Sequence, residues 1–307
     1  MIQINFLAHN SRRILFSKKS LSFLKNINHK NDIKLFINYS HDDDIWKDFK
    51  NEMITCGIST DICYTCEGDY MGKIRNSVIS ECEYSCSMDD DIMLNEYLWD
   101  YMIENIHILD NSENLFLSPL ISNGIPSVDM FIRDFCSNEE QLYFNDLFKN
   151  THIPNLWEAD YTLLNSSELK KCWNSELYYS LVSKINHYYK GIHPIRISFD
   201  GQYKLSEIII NNKEKFLTKQ NYEIEIIKKP YFCNSFYFIK TSTWKNIIND
   251  NTLFRDSYDE VPLNLYKDKH DLNMVFIKNG FCIHMAYNTI EQDNQHLIEQ
   301  NYNKLLS

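Results

Sequence analysis

Short apolar runs and stretches of helical periodicity alternate through the first hundred residues, and this alternation restricts the fold more than any other feature of the chain. Ile2 to Ala8 is apolar enough for a strand and is followed by the polar turn His9-Asn10-Ser11. Ser17 or Ser20 is placed to cap a helix through about Asn28, because Leu21, Leu24 and Ile27 recur at helical spacing. Ile33 to Tyr39 reads as the second strand. Asp42, Asp43 and Asp44 then open a helix carrying Ile45, Trp46, Phe49 and Met53, and Gly57 ends it. Ser59 to Thr65 is the third strand. A helix from Lys73 to about Cys82 leads to the fourth strand, Tyr84 to Met88, which stops at Asp89, Asp90 and Asp91. Such β-α-β units predict a parallel sheet, and open α/β sheets bind ligands beyond the carboxyl ends of their strands. The acidic triplet falls at that edge.

Further along, Leu94 to Ile106 reads as a helix, Leu115 to Ile121 as a strand, and Asn123 to Pro126 as a turn. Residues 138–191 are helical and aromatic-rich, which predicts a helical insertion in the second half. Ser235 to Lys240, Met274 to Ile277 and Phe281 to Met285 read as further strands. The expected fold class is therefore α/β, a Rossmann-like mixed sheet flanked by helices. Its first half would span residues 1–125 and its second half residues 126–307, with no repeat or linker to separate them into two domains.

Acidic residues outnumber basic ones by 42 to 31, and the formal charge of -11 disfavours partners that need a basic surface, nucleic acid and anionic membrane included. No run approaches the ~20 apolar residues that cross a bilayer. The start, MIQINFLAHNSRR, is apolar before it is basic, the reverse of a secretory signal. A cytoplasmic location is expected. The nine cysteines lie largely within apolar stretches and read as reduced, buried thiols. Cys63, Cys66, Cys82 and Cys86 approach the two-pair spacing of a zinc site, but the second pair is one residue too wide and the flanking sequences read as neighbouring strands.

A cation holding a diphosphate needs few protein carboxylates, because phosphate oxygens and water fill the other positions. Asp89 and Asp91, two apart in a tight turn, suit that task; alternatively the triplet caps the helix that follows. Ser-Met-Asp-Asp-Asp-Ile after an apolar strand resembles the DxD motif of GT-A glycosyltransferases of the family-2 type. Gly72-Lys73-x-Arg75-Asn76 before that strand is similar to the helix start these enzymes place there. The resemblance implies a GT-A fold, a nucleotide-sugar donor and Mn²⁺ or Mg²⁺. It implies that Ala8 and Asn10 approach the nucleobase and that Asp42 contacts uracil or ribose. Lys73, Arg75 and Asn76 would fix the nucleotide. Asp89 would serve ribose or metal, Asp90 the nucleotide, and Asp91 the metal. Asp42 serves equally well as helix-start charge, and Arg75 as an ion-pair partner of Glu81 or Glu83.

A late histidine often completes the metal site in this family, and His284, inside the apolar run Phe281 to Asn288, is the match; a hydrogen-bonded core histidine is the alternative. Inverting transfer needs a carboxylate to take the acceptor's proton. Asp259 is the first candidate for that base and Glu260 the second; in a retaining enzyme they would bind acceptor instead. Trp157, Tyr161, Trp173, Tyr231, Phe232 and Trp244 offer stacking surface, although aromatic residues serve more often in cores.

The resulting expectation is a hexosyl- or pentosyltransferase acting from a uridine diphosphate sugar onto a glycan or lipid-linked glycan. A hydroxylated base in viral DNA is an alternative acceptor, to which Arg12, Arg13, Lys18, Lys19, Lys228 and Lys229 would supply a local phosphate patch. A nucleotidyltransferase and a non-catalytic nucleotide-sugar-binding protein are the remaining alternatives.

Overall fold

The computed structural model describes residues 1–8, 14–39, 44–64, 81–122, 124, 126–150, 195, 198–228, 232, 235–250, 261–284 and 295–304. Asn10, Arg12, Arg13, Asp42, Lys73, Arg75, Asn76, Trp157, Tyr161, Trp173, Lys229, Tyr231, Asp259 and Glu260, and most of the expected helical insertion, lie outside the described residues.

The strands are β1 (Ile2–Ala8), β2 (Ile33–Tyr39), β3 (Ser59–Tyr64), β4 (Tyr84–Asp89), β5 (Ile92–Met93), β6 (Asn114–Ile121), β7 (Glu223–Ile227), β8 (Phe236–Lys240) and β9 (Asn273–His284). They form one mixed sheet in the order β3-β2-β1-β4-β8-β6-β9-β5, with β7 also on β9. The sheet joins both halves of the chain. β1 to β4 are mutually parallel, and β8 runs antiparallel between β4 and β6. β9 is parallel to β6. The carboxyl ends of β1, β2, β4, β6 and β9 therefore share one edge of the sheet, where β8 begins.

The helices are α1 (Ile14–Ser20), α2 (Lys47–Thr55), α3 (Glu96–Glu104), α4 (Ser127–Phe135), α5 (Asn138–Asn150), α6 (Phe199–Asn211), α7 (Lys213–Leu217), α8 (Thr241–Asn249), α9 (Val261–His270) and α10 (Gln295–Asn303). Two apolar clusters divide between the sheet's faces. One packs Ile2, Ile4, Phe6, Leu35 and Ile37 against Leu21, Leu24, Phe49, Met53, Leu98 and Trp99. The other packs Phe116, Phe276 and Phe281 against Phe131, Phe144, Leu205 and Trp244. Trp99 is fully buried with Phe23 and Phe238 each 5.2 Å away between ring centroids. Phe232 and Trp244, candidates for stacking surface, are core residues here.

Several local expectations change. The first helix begins at Ile14 and passes into a 3-10 turn over Leu21–Lys25, and Ser20 makes no side-chain cap. Its hydroxyl instead donates to the Ile92 carbonyl. Leu21, Leu24 and Ile27 are nonetheless buried as their spacing predicts. α2 starts at Lys47, later than the aspartates, and closes at Gly57, whose φ of 89° is the left-handed conformation that glycine adopts without strain. Cys63 and Cys86 do lie on strands, but β2 and β1 intervene. Three strand spacings, about 14 Å, keep these two from sharing an ion.

The two late strands expected at 274–277 and 281–285 are one strand, β9, with an irregularity. Pro119 pairs with Ile277 and Leu120 with Phe281, so Lys278, Asn279 and Gly280 are extra residues on the β9 side. An odd insertion inverts the alternation of faces. Val275 and Ile277 share a face before it, Cys282 takes that face after it, and Phe281 and Ile283 turn to the other.

Candidate metal centre

β4 carries the chain to the functional edge, and its last residue, Asp89, is held there by its neighbour strand. Met88 pairs with Phe236, and one step on, the Asp89 amide donates to the Ser235 carbonyl at 3.0 Å. Asp90 and Asp91 then turn the chain into β5, which pairs antiparallel with the end of β9 through Ile92 with His284 and Met93 with Ile283. That pairing sets Asp91 beside the imidazole. The end of β9 is anchored in turn: the His284 amide donates to Ser122 Oγ at 3.3 Å, and the Ser122 amide donates to the Cys282 carbonyl at 3.2 Å.

Asp91 Oδ1 lies 3.1 Å from His284 Nε2. Ser235 Oγ lies 3.3 Å from the same nitrogen. One ligand atom each from Asp89, Asp91 and His284 falls within 4.8 Å of the others. Asp91 is 5% exposed and His284 7%, while Asp89 is half-buried. Two like charges this close repel by about 3 kcal/mol at an effective dielectric near 20. A divalent cation reverses that sign.

The donor set fits such an ion. Carboxylate oxygens suit Mg²⁺ and Mn²⁺, imidazole suits the transition metals, and a group supplied from one side leaves positions for water or phosphate. Adjacent ligands of an octahedral site with bonds near 2.1 Å stand about 3 Å apart and opposite ones about 4.2 Å. The 3.1 Å between Asp91 Oδ1 and His284 Nε2 matches an adjacent pair, and Asp89 reaches the same group within 4.8 Å. Among the described residues, Asp89, Asp91 and His284 form the group that could hold a metal ion.

Of the other sequence-derived candidates among the described residues, Ala8 ends β1 next to the Leu7–Asp89 pair, so it borders the centre. Asp90 is buried, 3% exposed, and is not one of the three converging residues. Ser122 and Ser235 carry no signal in the sequence. Neither belongs to a motif or a regular spacing, and both act through tertiary approach.

No known protein-family model matches the sequence, and no curated protein does. Among solved structures, the chain is similar to the crystal structure of S. aureus TarS 1-349, at 12% sequence identity and a TM-score of 0.42, over 100% of this chain and 65% of that one. It is similar also to S. aureus TarS 1-349 in complex with UDP, at 11% identity and a TM-score of 0.43, over 98% of this chain and 64% of that one. The chain thus spans less than two thirds of the length of either.

Proposed function

We propose that this protein is a metal-dependent glycosyltransferase of the GT-A type, moving a hexosyl or pentosyl group from a nucleotide diphosphate sugar to a hydroxyl acceptor. The observation that carries this reading is the convergence of Asp89, Asp91 and His284 at the carboxyl edge of a mixed α/β sheet. A Rossmann-like sheet presents nucleotides at that edge, and two carboxylates with an imidazole suit a cation shared with a diphosphate.

In this reading Asp89, Asp91 and His284 hold Mn²⁺ or Mg²⁺. When bound, the ion supplies charge neutralisation to the departing diphosphate. Ala8 and Asn10 border the base, Asp42 meets uracil or ribose, and Lys73, Arg75 and Asn76 with Asp90 fix the nucleotide. Asp259, with Glu260 second, takes the acceptor's proton as its oxygen bonds to the anomeric carbon and the diphosphate leaves with the electron pair of the broken bond. The donor is a uridine diphosphate sugar and the acceptor a glycan or lipid-linked glycan, in the cytoplasm.

The test is incubation with a panel of nucleotide sugars, Mn²⁺ and a panel of acceptors, including oligosaccharides, lipid-linked glycans and hydroxymethylated DNA, with products followed by mass spectrometry. Metal-dependent release of the nucleoside diphosphate with a glycosylated product, lost in Asp91→Ala, supports the proposal. Binding of donor with no turnover on any acceptor points to a binding protein. Formation of a nucleotide sugar from sugar phosphate and nucleoside triphosphate, with release of pyrophosphate, makes it a nucleotidyltransferase.

A further inference from the structure

We propose that the Ser235 hydroxyl is a fourth protein ligand of the cation; this rests on the reading of Asp89, Asp91 and His284 as its site. Ser235 touches both halves of that site. Its carbonyl accepts the Asp89 amide at 3.0 Å, fixing the end of β4, and its hydroxyl stands 3.3 Å from His284 Nε2. Nε2 also lies 3.1 Å from Asp91 Oδ1, so the nitrogen has two oxygen neighbours at nearly equal range. That is the spacing of ligands along the edges of an octahedron around a hard divalent ion, about 3 Å. An Nε2 lone pair committed to a cation no longer serves a hydrogen bond to either oxygen, and both oxygens remain where a cation on that nitrogen would meet them.

The geometry also gives the hydroxyl a reason to stay in place. Ser235 immediately precedes β8, and its backbone is pinned across the sheet through the Asp89 amide, so Oγ swings only about its own χ1. Like Asp89, it is only partly buried, so the site is not sealed from solvent ions. A neutral oxygen adds a ligand without a third negative charge, leaving capacity for phosphate oxygens.

Mn²⁺ and Cd²⁺ affinities, measured by isothermal titration calorimetry on the full chain without nucleotide, test this. Wild type, Asp91→Ala, Ser235→Ala, Ser235→Thr and Ser235→Cys are compared, each with its metal-free melting temperature. The expectation is a loss of Mn²⁺ affinity of about tenfold in Ser235→Ala, recovery in Ser235→Thr, and in Ser235→Cys a rise of about tenfold or more in the preference for Cd²⁺ over Mn²⁺, because a thiolate selects softer ions. The metal-free melting temperature stays at the wild-type value in Ser235→Thr. If Asp91→Ala loses Mn²⁺ while Ser235→Ala binds it like wild type and Ser235→Cys gains no Cd²⁺ preference, the fourth ligand is overturned and the three-residue site stands. If wild type and Asp91→Ala bind Mn²⁺ alike, the site reading falls and the fourth ligand with it.

Discussion

Ile92, in the two-residue strand β5, pairs with His284 at the end of β9, and this backbone pairing brings the Asp91 carboxylate to 3.1 Å from the imidazole. A strand this short has little pairing energy of its own. It is held from the far side by Ser20, whose buried hydroxyl donates to the Ile92 carbonyl.

Ser20→Ala removes that donor and leaves a buried carbonyl short of a partner. The expected cost is about 1–3 kcal/mol in urea unfolding, with a fall in Mn²⁺ affinity although every ligand is retained. Unchanged affinity would show that β5 holds its place without Ser20.

Gly280→Ala addresses the extra residues of β9. A Cβ at Gly280 would stand 2.6 Å from Ile277 Cγ2 and 2.7 Å from Leu98 Cδ1, closer than side chains approach one another. The strain should destabilise the fold by about 1–3 kcal/mol, read by denaturant melts. A neutral substitution would contradict the tight packing of this segment on α3.

How far the sequence disclosed this arrangement depended on the kind of signal. β1, β2, β4 and β6 were legible within a residue at most ends, because short apolar runs bounded by polar turns have few other uses in an α/β chain. The approach of Asp89, Asp91 and His284 to one another was legible from an acidic turn after such a run and a histidine inside another. β9 is not legible as one strand, since Lys278, Asn279 and Gly280 interrupt the apolar run and Asn-Gly is a turn-forming pair. Asn279 does adopt a left-handed φ of 60°, yet the chain continues along the same partner, β6. Ser122 and Ser235 left no trace, since a hydroxyl gains its role only from what the fold places beside it.

Cysteine reactivity follows burial. Cys86 and Cys282 are fully buried, and burial pushes both thiols well up. Burial first, and then Glu140, pushes Cys136 up to about 12. These three should resist maleimide at neutral pH until the protein is unfolded, while the partly exposed Cys56 and Cys63 label in the native state. Peptide mapping by mass spectrometry reads the order, and early labelling of Cys86 or Cys282 would contradict the core described.

One acid-side effect has a defined sign. The Lys240 ammonium, 2.7 Å from Asp110 Oδ1, and then the Tyr84 hydroxyl, 3.0 Å away, hold the Asp110 carboxyl below its ordinary range. A lowered folded value means the contact stabilises fully above the unfolded carboxylate value of about 3.9 and is lost as pH falls through the lower folded value. Lys240→Met should therefore flatten the decline in melting temperature below about pH 4. An identical acid slope in the variant would contradict the assignment.

The most direct test of the central claim is the melting temperature of wild type, Asp91→Ala and His284→Ala with UDP, with Mn²⁺, and with both together. The account predicts that the two ligands together stabilise wild type well beyond the sum of their separate effects, and that neither variant shows this excess. An equal excess in all three proteins would contradict a metal centre at Asp89, Asp91 and His284.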